Sequence, residues 1–471
     1  MARIVLAGGG IVALTTAMLL ADDGHEVTVL ERDPAPAPEP AEAWDEWKRR
    51  FVAQFRLPHL FLARFRIEVE RELPRVAEAL EQAGALRVNL LALAPAEAIG
   101  GHREEDRAYE MLTGRRAVVE AVIAAAAAAT AGVQVRRGTE VAGLLTGDAG
   151  PGGVPRVTGV RTGDGEEIAA DLVVDVTGRR SPMARWLADI GAAPAAEETE
   201  DSGFVYYGRH FRSPDGSVPP MLGPATMDYG SVSTLTLPAD NGTWSIVIVT
   251  SSQDPDLGGL TRADNWAAAV RSMTLQAHWL DGEPIEDHVV TIARIEDRHR
   301  SLVVGGQPVV TGVVGLADAW SCTNPSLGRG VSIGVMHGRV LRDTLRQSDP
   351  ADAGRFALDF HEATMSTVEP YYRSTVHFDR HRLSEIGADI RGEAYQPADP
   401  WWDDLRALLF GGGQDPEVLR AGLDMAMVLR TADDIFADPA MAARVRAAGA
   451  GWREAGILGP SRAELVAMAH S

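Results

Sequence analysis

Ile4-Val5-Leu6-Ala7-Gly8-Gly9-Gly10-Ile11-Val12-Ala13 decides the fold of this chain. An apolar run enters a glycine-rich turn of the form G-x-G-x-x-A, and a helical stretch at 12–21 leaves it. Glycines at 8 and 10 allow a tight turn and a close approach of the backbone to a pyrophosphate. The small Ala13 lets the helix pack against its strand. The helix N-terminus then offers free N–H groups to the anion. Beyond Gly24 a second short strand, Val27-Thr28-Val29-Leu30, ends at Glu31. That carboxylate stands about 20 residues past the turn, where it would hold a ribose 2′-hydroxyl. The βαβ pattern predicts a Rossmann-like site for a dinucleotide.

A second loop, Asp318-Ala319-Trp320-Ser321-Cys322-Thr323-Asn324-Pro325-Ser326-Leu327-Gly328-Arg329-Gly330, lies between an apolar strand run at 309–314 and a helical stretch at 331–345. Shaped by Pro325 and its glycines, it presents backbone N–H groups to developing negative charge, such as that of a reduced flavin. Asp318, at the strand end, is placed to accept a hydrogen bond from a ribityl hydroxyl. The segment resembles the D-x6-P-x2-G-x-G motif of the FAD-dependent monooxygenases related to para-hydroxybenzoate hydroxylase. Asp318, Pro325, Gly328 and Gly330 fall on the pattern, and Ala317 stands where that family usually has glycine.

Two further segments carry the same resemblance. Asp171-Leu172-Val173-Val174-Asp175-Val176-Thr177-Gly178-Arg179-Arg180-Ser181-Pro182 is similar to the strand and turn beside the FAD pyrophosphate, with Thr177-Gly178 for the usual Asp-Gly. Gln54-Phe55-Arg56-Leu57-Pro58-His59 is similar to the Q-x-R-x-x-H segment of a bacterial subgroup that includes flavin-dependent polyether epoxidases. Residues 346–471 resemble nothing in that family.

The resemblance implies bound FAD held by Gly8, Gly10, Ile11, Val12, Ala13, Glu31, Arg32, Val141, Gly178, Asp318, Pro325, Gly328 and Gly330. It also implies Arg56 at the ribityl or pyrophosphate and Arg116 reaching the cofactor from the second βα unit. The implied reaction transfers one oxygen atom from a flavin C4a-hydroperoxide to a small apolar secondary metabolite, polyketide-like or aromatic, by hydroxylation or epoxidation. NAD(P)H would be the reductant, directly or through a separate flavin reductase. Three alternatives share the fold: a reductase or dehydrogenase, a halogenase-like enzyme, and a redox-neutral cyclase using FAD as scaffold. A halogenase would need a tunnel lysine and a W-x-W-x-I-P segment; Lys48 comes too early and Trp244-Ser245-Ile246 does not match.

Composition agrees with a globular enzyme. The 471 residues are 45% hydrophobic and 24% charged. A net charge of -21 opposes nucleic acid and anionic membranes. A single cysteine, Cys322, excludes internal disulfides and suits a reducing cytoplasm. No apolar run reaches membrane-helix length, and the glycine break at 8–10 argues against reading the N-terminal residues as a signal peptide.

The expected fold is mixed α/β (α+β). A discontinuous FAD-binding domain takes 1–70, 100–190 and 290–345, an antiparallel-sheet substrate domain takes 71–99 and 191–289, and a helical region takes 346–471. Strand alternation at 204–211, 231–237 and 244–250 defines that sheet, with Tyr206 and His210 on one face as candidate substrate contacts and Tyr207 on the other. A helix is expected over 266–280. His377 and His381 have i,i+4 metal spacing but lack a recognisable third ligand, so no metal is expected. Cys322 reads as a small apolar thiol. No catalytic acid or base stands out.

Overall fold

The computed structural model describes all residues except 53, 457 and 458. Five parallel strands form the central sheet, in the order Val313–Gly315, Leu172–Asp175, Arg3–Ala7, Glu26–Glu31, Val133–Arg137. Their apolar runs are continuous because both faces are covered. Ile4 and Leu6 face the helices Ile11–Asp22, Arg116–Ala128 and Gly330–Leu345. Val5 and Ala7 face a three-stranded antiparallel sheet built from Val141–Thr146, Val157–Thr162 and Glu167–Ala169. Helix Gly330–Leu345 approaches Ile11–Asp22 across Gly334 and Gly338. A Cβ on these glycines would stand 2.5 Å from Val12 Cγ2 and 2.3 Å from Thr16 Oγ1.

The expected strand at 309–314 is shorter, starting only at Val313. Thr311 leaves the sheet to bond Pro155 and Val157 instead. Residues 71–99 also depart from expectation. Val76, Ala77, Leu80, Val88 and Leu91 join the same apolar cluster as Leu6, Leu14 and Ala121, so this segment extends the core of the parallel sheet rather than that of the antiparallel one. Its amphipathic helix, Pro74–Gln82, has its nearest large apolar surface there.

The second sheet runs Thr226–Tyr229, Val232–Pro238, Thr243–Ser251, Phe204–Arg212, with Glu283–Pro284 and Val290–Ile292 added at the edge. Phe204, Tyr206, Leu235, Leu237 and Val247 share one face. Val205, Tyr207, Phe211, Ile246 and Ile248 share the other, under helices Ala263–Ser272 and Arg462–Ala469. The last helix is thus part of the sheet domain's backing, tied by Asn265 Nδ2 donating to Ala469 O at 2.8 Å. The helix expected over 266–280 stops at Ser272, and Met273 is extended. A short 3-10 turn, Ala277–Leu280, follows, placing Trp279 O to accept from Trp244 Nε1 at 2.7 Å. Tertiary bonding there overrides helix propensity.

Ala317 has φ of +50°, in the left-handed region where a Cβ is strained. A left-handed backbone at this position favours glycine, the residue usual before the aspartate in the motif this loop resembles. Ala317→Gly is expected to raise unfolding free energy by ~1 kcal/mol, read from urea denaturation.

Candidate functional site

A cavity of about 830 Å³ opens at the carboxyl ends of the parallel strands and extends under the second sheet. One end is the first glycine turn. Gly8 has φ of +110°, and a Cβ there would lie 2.5 Å from Val176 O. Gly10 has φ of -84° and faces open space: an added Cβ meets nothing within 4 Å. It is also the N-cap of helix Ile11–Asp22 and provides no side-chain cap, so the first helical N–H groups, at Ile11, Val12 and Ala13, carry no cap from it. These three residues line the cavity, as do Gly178 and Val141.

Glu31 closes this end. Its Oε2 accepts from Gly9 N at 2.9 Å and from Arg49 Nη2 at 2.6 Å, and its Oε1 accepts from Asp33 N at 2.7 Å. One lone pair on Oε1 stays free for a further donor. Gly9 is itself constrained, since a Cβ would come within 2.8 Å of Glu31 Cβ. Arg32 lines the cavity beside it, with its guanidinium 4.1 Å from the Phe51 ring centre.

Sequence reasoning missed Arg49 and Glu120. Arg49, almost fully buried, binds Glu31, lies 3.5 Å from Asp33 and donates to Glu120. Glu120 also accepts from Arg116 Nε at 3.1 Å. Arg116 lines the cavity and bonds His59 Nε2 at 2.9 Å, while His59 Nδ1 bonds Leu57 O at 2.8 Å. Burial and the Arg116 charge push His59 down to about 3, so the imidazole is neutral and accepts from the arginine. Arg56, expected at the cofactor, lies outside the cavity lining. Its guanidinium packs 4.6 Å from the Trp44 ring centre and donates to Trp47 O at 3.1 Å. Arg49, seven residues earlier, lines the cavity instead, held by Glu31, Asp33 and Glu120.

The other end is the second loop. Asp318, Pro325, Gly328 and Gly330 all line the cavity. Burial raises the Asp318 carboxyl above its usual range, against the pull of Arg116, Arg179 and Arg298. Ala317 N donates to His337 Nδ1 at 3.2 Å, and burial pushes His337 down to about 3. Gly328 is left-handed at φ of +63° and bonds back to Pro325 O at 2.9 Å. Cys322 is buried in the same lining, and burial raises its thiol well above the usual value, which keeps it neutral. On the strand side Asp175 accepts from Thr177 N and Thr177 Oγ1 and orders the turn that carries Gly178.

The C-terminal helices hold this loop. Asp379, on helix Glu369–Ile390, accepts from Asn324 Nδ2 at 3.1 Å and Ser326 Oγ at 3.0 Å. Asp297 accepts from Asn324 N at 2.6 Å. Tyr206, in the cavity lining, donates its hydroxyl to Asn324 Oδ1. Both carboxylates keep an unpartnered buried oxygen. Burial raises Asp379 well above the carboxylate range, with Asp297 adding repulsion and Arg329 opposing it. Asp297 is raised to about 6 by burial and by Glu200 and Asp201, against Arg380. This acid pair left no sequence motif, because its two members come from distant segments.

Asp297 makes a signed prediction. Its folded carboxyl keeps a proton that the unfolded chain releases, so stability is lost as pH rises from the unfolded carboxylate range to about 6. Above that window the loss is constant. Asp297→Asn is therefore expected to add ~1–3 kcal/mol at about pH 8 and almost nothing at about pH 4, read from denaturation at both values.

His210 corrects a second expectation. Alternation puts it on the face of Tyr206, but the cavity takes only Tyr206 and Gly208 from that strand. His210 is buried against Trp44, with ring centres 4.7 Å apart, and its Nδ1 lies 3.1 Å from Glu286 Oε1.

The architecture is that of a Rossmann-like FAD-binding fold joined to an antiparallel sheet. No protein-family model matches the chain. It is 28% identical to protein Rv3254 of Mycobacterium tuberculosis over 425 residues, 84% of this chain and 82% of that one. The Diels-Alderase PyrE3 of pyrroindomycin biosynthesis superposes with a TM-score of 0.61 at 21% identity, covering 90% of this chain and 80% of PyrE3. PqsL, a probable FAD-dependent monooxygenase from Pseudomonas aeruginosa, superposes with a TM-score of 0.53 at 17% identity, covering 82% and 99%.

Proposed function

We propose that this chain is an FAD-dependent monooxygenase that adds one oxygen atom to an apolar small molecule, by hydroxylation or epoxidation of a polyketide-like or aromatic compound. One observation carries the reading: a single cavity joins the uncapped helix N-terminus at Gly10 to the Asp318–Gly330 loop and continues beneath an apolar sheet face. Bound FAD supplies the electron-transfer and oxygen-activating chemistry, with NAD(P)H as reductant, directly or through a flavin reductase.

The chain's own residues bind, orient and dry the site. The N–H groups after Gly10 take the pyrophosphate, Glu31 takes a ribose hydroxyl, and Asp318 takes a ribityl hydroxyl. Leu235, Leu237 and Val247 present apolar surface to the substrate and exclude water. Tyr206 lines the cavity with its hydroxyl oxygen free to accept from a substrate group, while its own proton goes to Asn324, which Asp379 holds in turn, so its role is to orient the substrate oxygen. Tyr206→Phe is expected to lower kcat on the order of 10²-fold with flavin content unchanged, measured by steady-state turnover.

Reaction under ¹⁸O₂ tests the proposal. Product heavier by one ¹⁸O atom supports it; product without label refutes it. A second reading, redox-neutral cyclisation over a bound flavin, draws on the likeness to PyrE3. It predicts turnover with no oxygen consumption and no NAD(P)H oxidation. The described residues include no helix long and apolar enough to cross a membrane.

A further inference from the structure

Away from the cavity, helix Glu369–Ile390 and the start of helix Pro400–Gly411 bring His377, His381 and Asp399 together. The spacing of the two histidines was legible in sequence; the third group was not, because Asp399 arrives from the N-cap of another helix. His377 Nε2 and His381 Nε2 are 3.2 Å apart, and each lies 3.3 Å from the same oxygen, Asp399 Oδ2.

Protons alone serve this near-equilateral triangle poorly. If both Nε2 atoms carry hydrogen, both can donate to Asp399 Oδ2, at 3.3 Å, and the 3.2 Å contact between the two nitrogens is left unbonded. If one does not, part of the triangle holds facing lone pairs. A central cation satisfies all three at once. Atoms with these separations lie about 1.9 Å from their common centre, so an ion slightly above the plane meets each at the ~2.0–2.1 Å of a zinc–nitrogen or zinc–oxygen bond. The surroundings suit ligation. His381 Nδ1 lies 2.8 Å from the Tyr395 hydroxyl, and an Nδ1–H donated there leaves the Nε2 lone pair free for a metal. Asp399 Oδ1 accepts from Trp401 N at 3.0 Å, holding Oδ2 toward the histidines. The His377 ring stacks on Trp401 with centres 4.1 Å apart. Asp399 is 42% exposed, which leaves a side open to a water ligand.

The geometry points to a site for one divalent transition-metal ion of the zinc class, held by His377 Nε2, His381 Nε2 and Asp399 Oδ2. Imidazole nitrogen with a single carboxylate favours such ions over magnesium or calcium, which take mostly oxygen. The ion clips helix Glu369–Ile390, which also carries Asp379 to the Pro325 loop, onto the helix that follows. Its role is structural, because the triad lies outside the cavity lining.

Zinc titration of the chelator-treated full-length protein, followed by calorimetry and by thermal unfolding, tests this. One equivalent of zinc is expected to bind and to raise Tm. Asp399→Asn retains the helix cap and His377→Gln alters a partly exposed position, so both variants are expected to keep the metal-free Tm. Each is expected to weaken zinc binding by at least ~10-fold and to lose the zinc-dependent rise in Tm. Absence of stoichiometric binding to the wild-type protein overturns the site, as does equal zinc affinity in the wild-type protein and both variants.

Discussion

Gly10→Ala is expected to yield a folded protein that has lost its flavin. The backbone at Gly10 is compatible with any residue, and an added Cβ meets no protein atom within 4 Å. Stability is therefore expected to change by less than ~1 kcal/mol. The methyl group instead fills the space before the uncapped helix N-terminus, where a pyrophosphate must come close. FAD affinity is expected to fall on the order of 10²-fold, about 3 kcal/mol. Gly8→Ala is the contrasting case. Its Cβ would collide with Val176 O at 2.5 Å on a left-handed backbone, so the fold itself is expected to lose several kcal/mol, roughly 2–5. Flavin titration and thermal unfolding of the two variants separate the effects. Equal flavin affinity in wild type and Gly10→Ala would remove this turn from the cofactor site.

Arg49→Met is expected to cost ~3–5 kcal/mol at neutral pH, because it strands Glu31, Asp33 and Glu120 as buried carboxylates without their shared cation. Arg116 still reaches Glu120, so Glu31 and Asp33 carry most of the loss. Arg56→Met removes partly exposed stacking contacts on Trp44 and Phe55 and a bond to Trp47 O, and is expected to cost ~1 kcal/mol or less. Urea denaturation of the pair decides which arginine organises the Glu31 end of the cavity. A larger loss for Arg56→Met would reverse the assignment made from the structure.

The contrast between these arginines shows what was legible in the chain. Gly8, Gly10, Ala13 and Glu31 could be read because one βαβ unit brings them together over about thirty residues, a span that local pattern governs. The loop from Asp318 to Gly330 was legible for the same reason: Pro325 and Gly328 shape a short turn before a helix. Ala317 looked like a departure from pattern, and its left-handed φ shows why glycine is usual there. Arg49, Glu120, Asp297 and Asp379 were not legible. Each is an unremarkable charged residue until tertiary packing removes water and leaves it a partner from a distant segment. The same holds for Asp399, which completes a pair of histidines 18 and 22 residues earlier. His210 was assigned to the correct face of its strand, yet alternation sets direction and not depth. Trp44 packs edge-on against its ring there, 4.7 Å between centres.

The account rests on FAD occupying the cavity between the two glycine loops. Acid precipitation of the purified protein, followed by chromatography of the supernatant, tests this most directly. One equivalent of FAD per chain, released into the supernatant and restored by adding FAD to the apoprotein, is the predicted result. A protein that carries no flavin and takes up none when FAD is added would contradict the account.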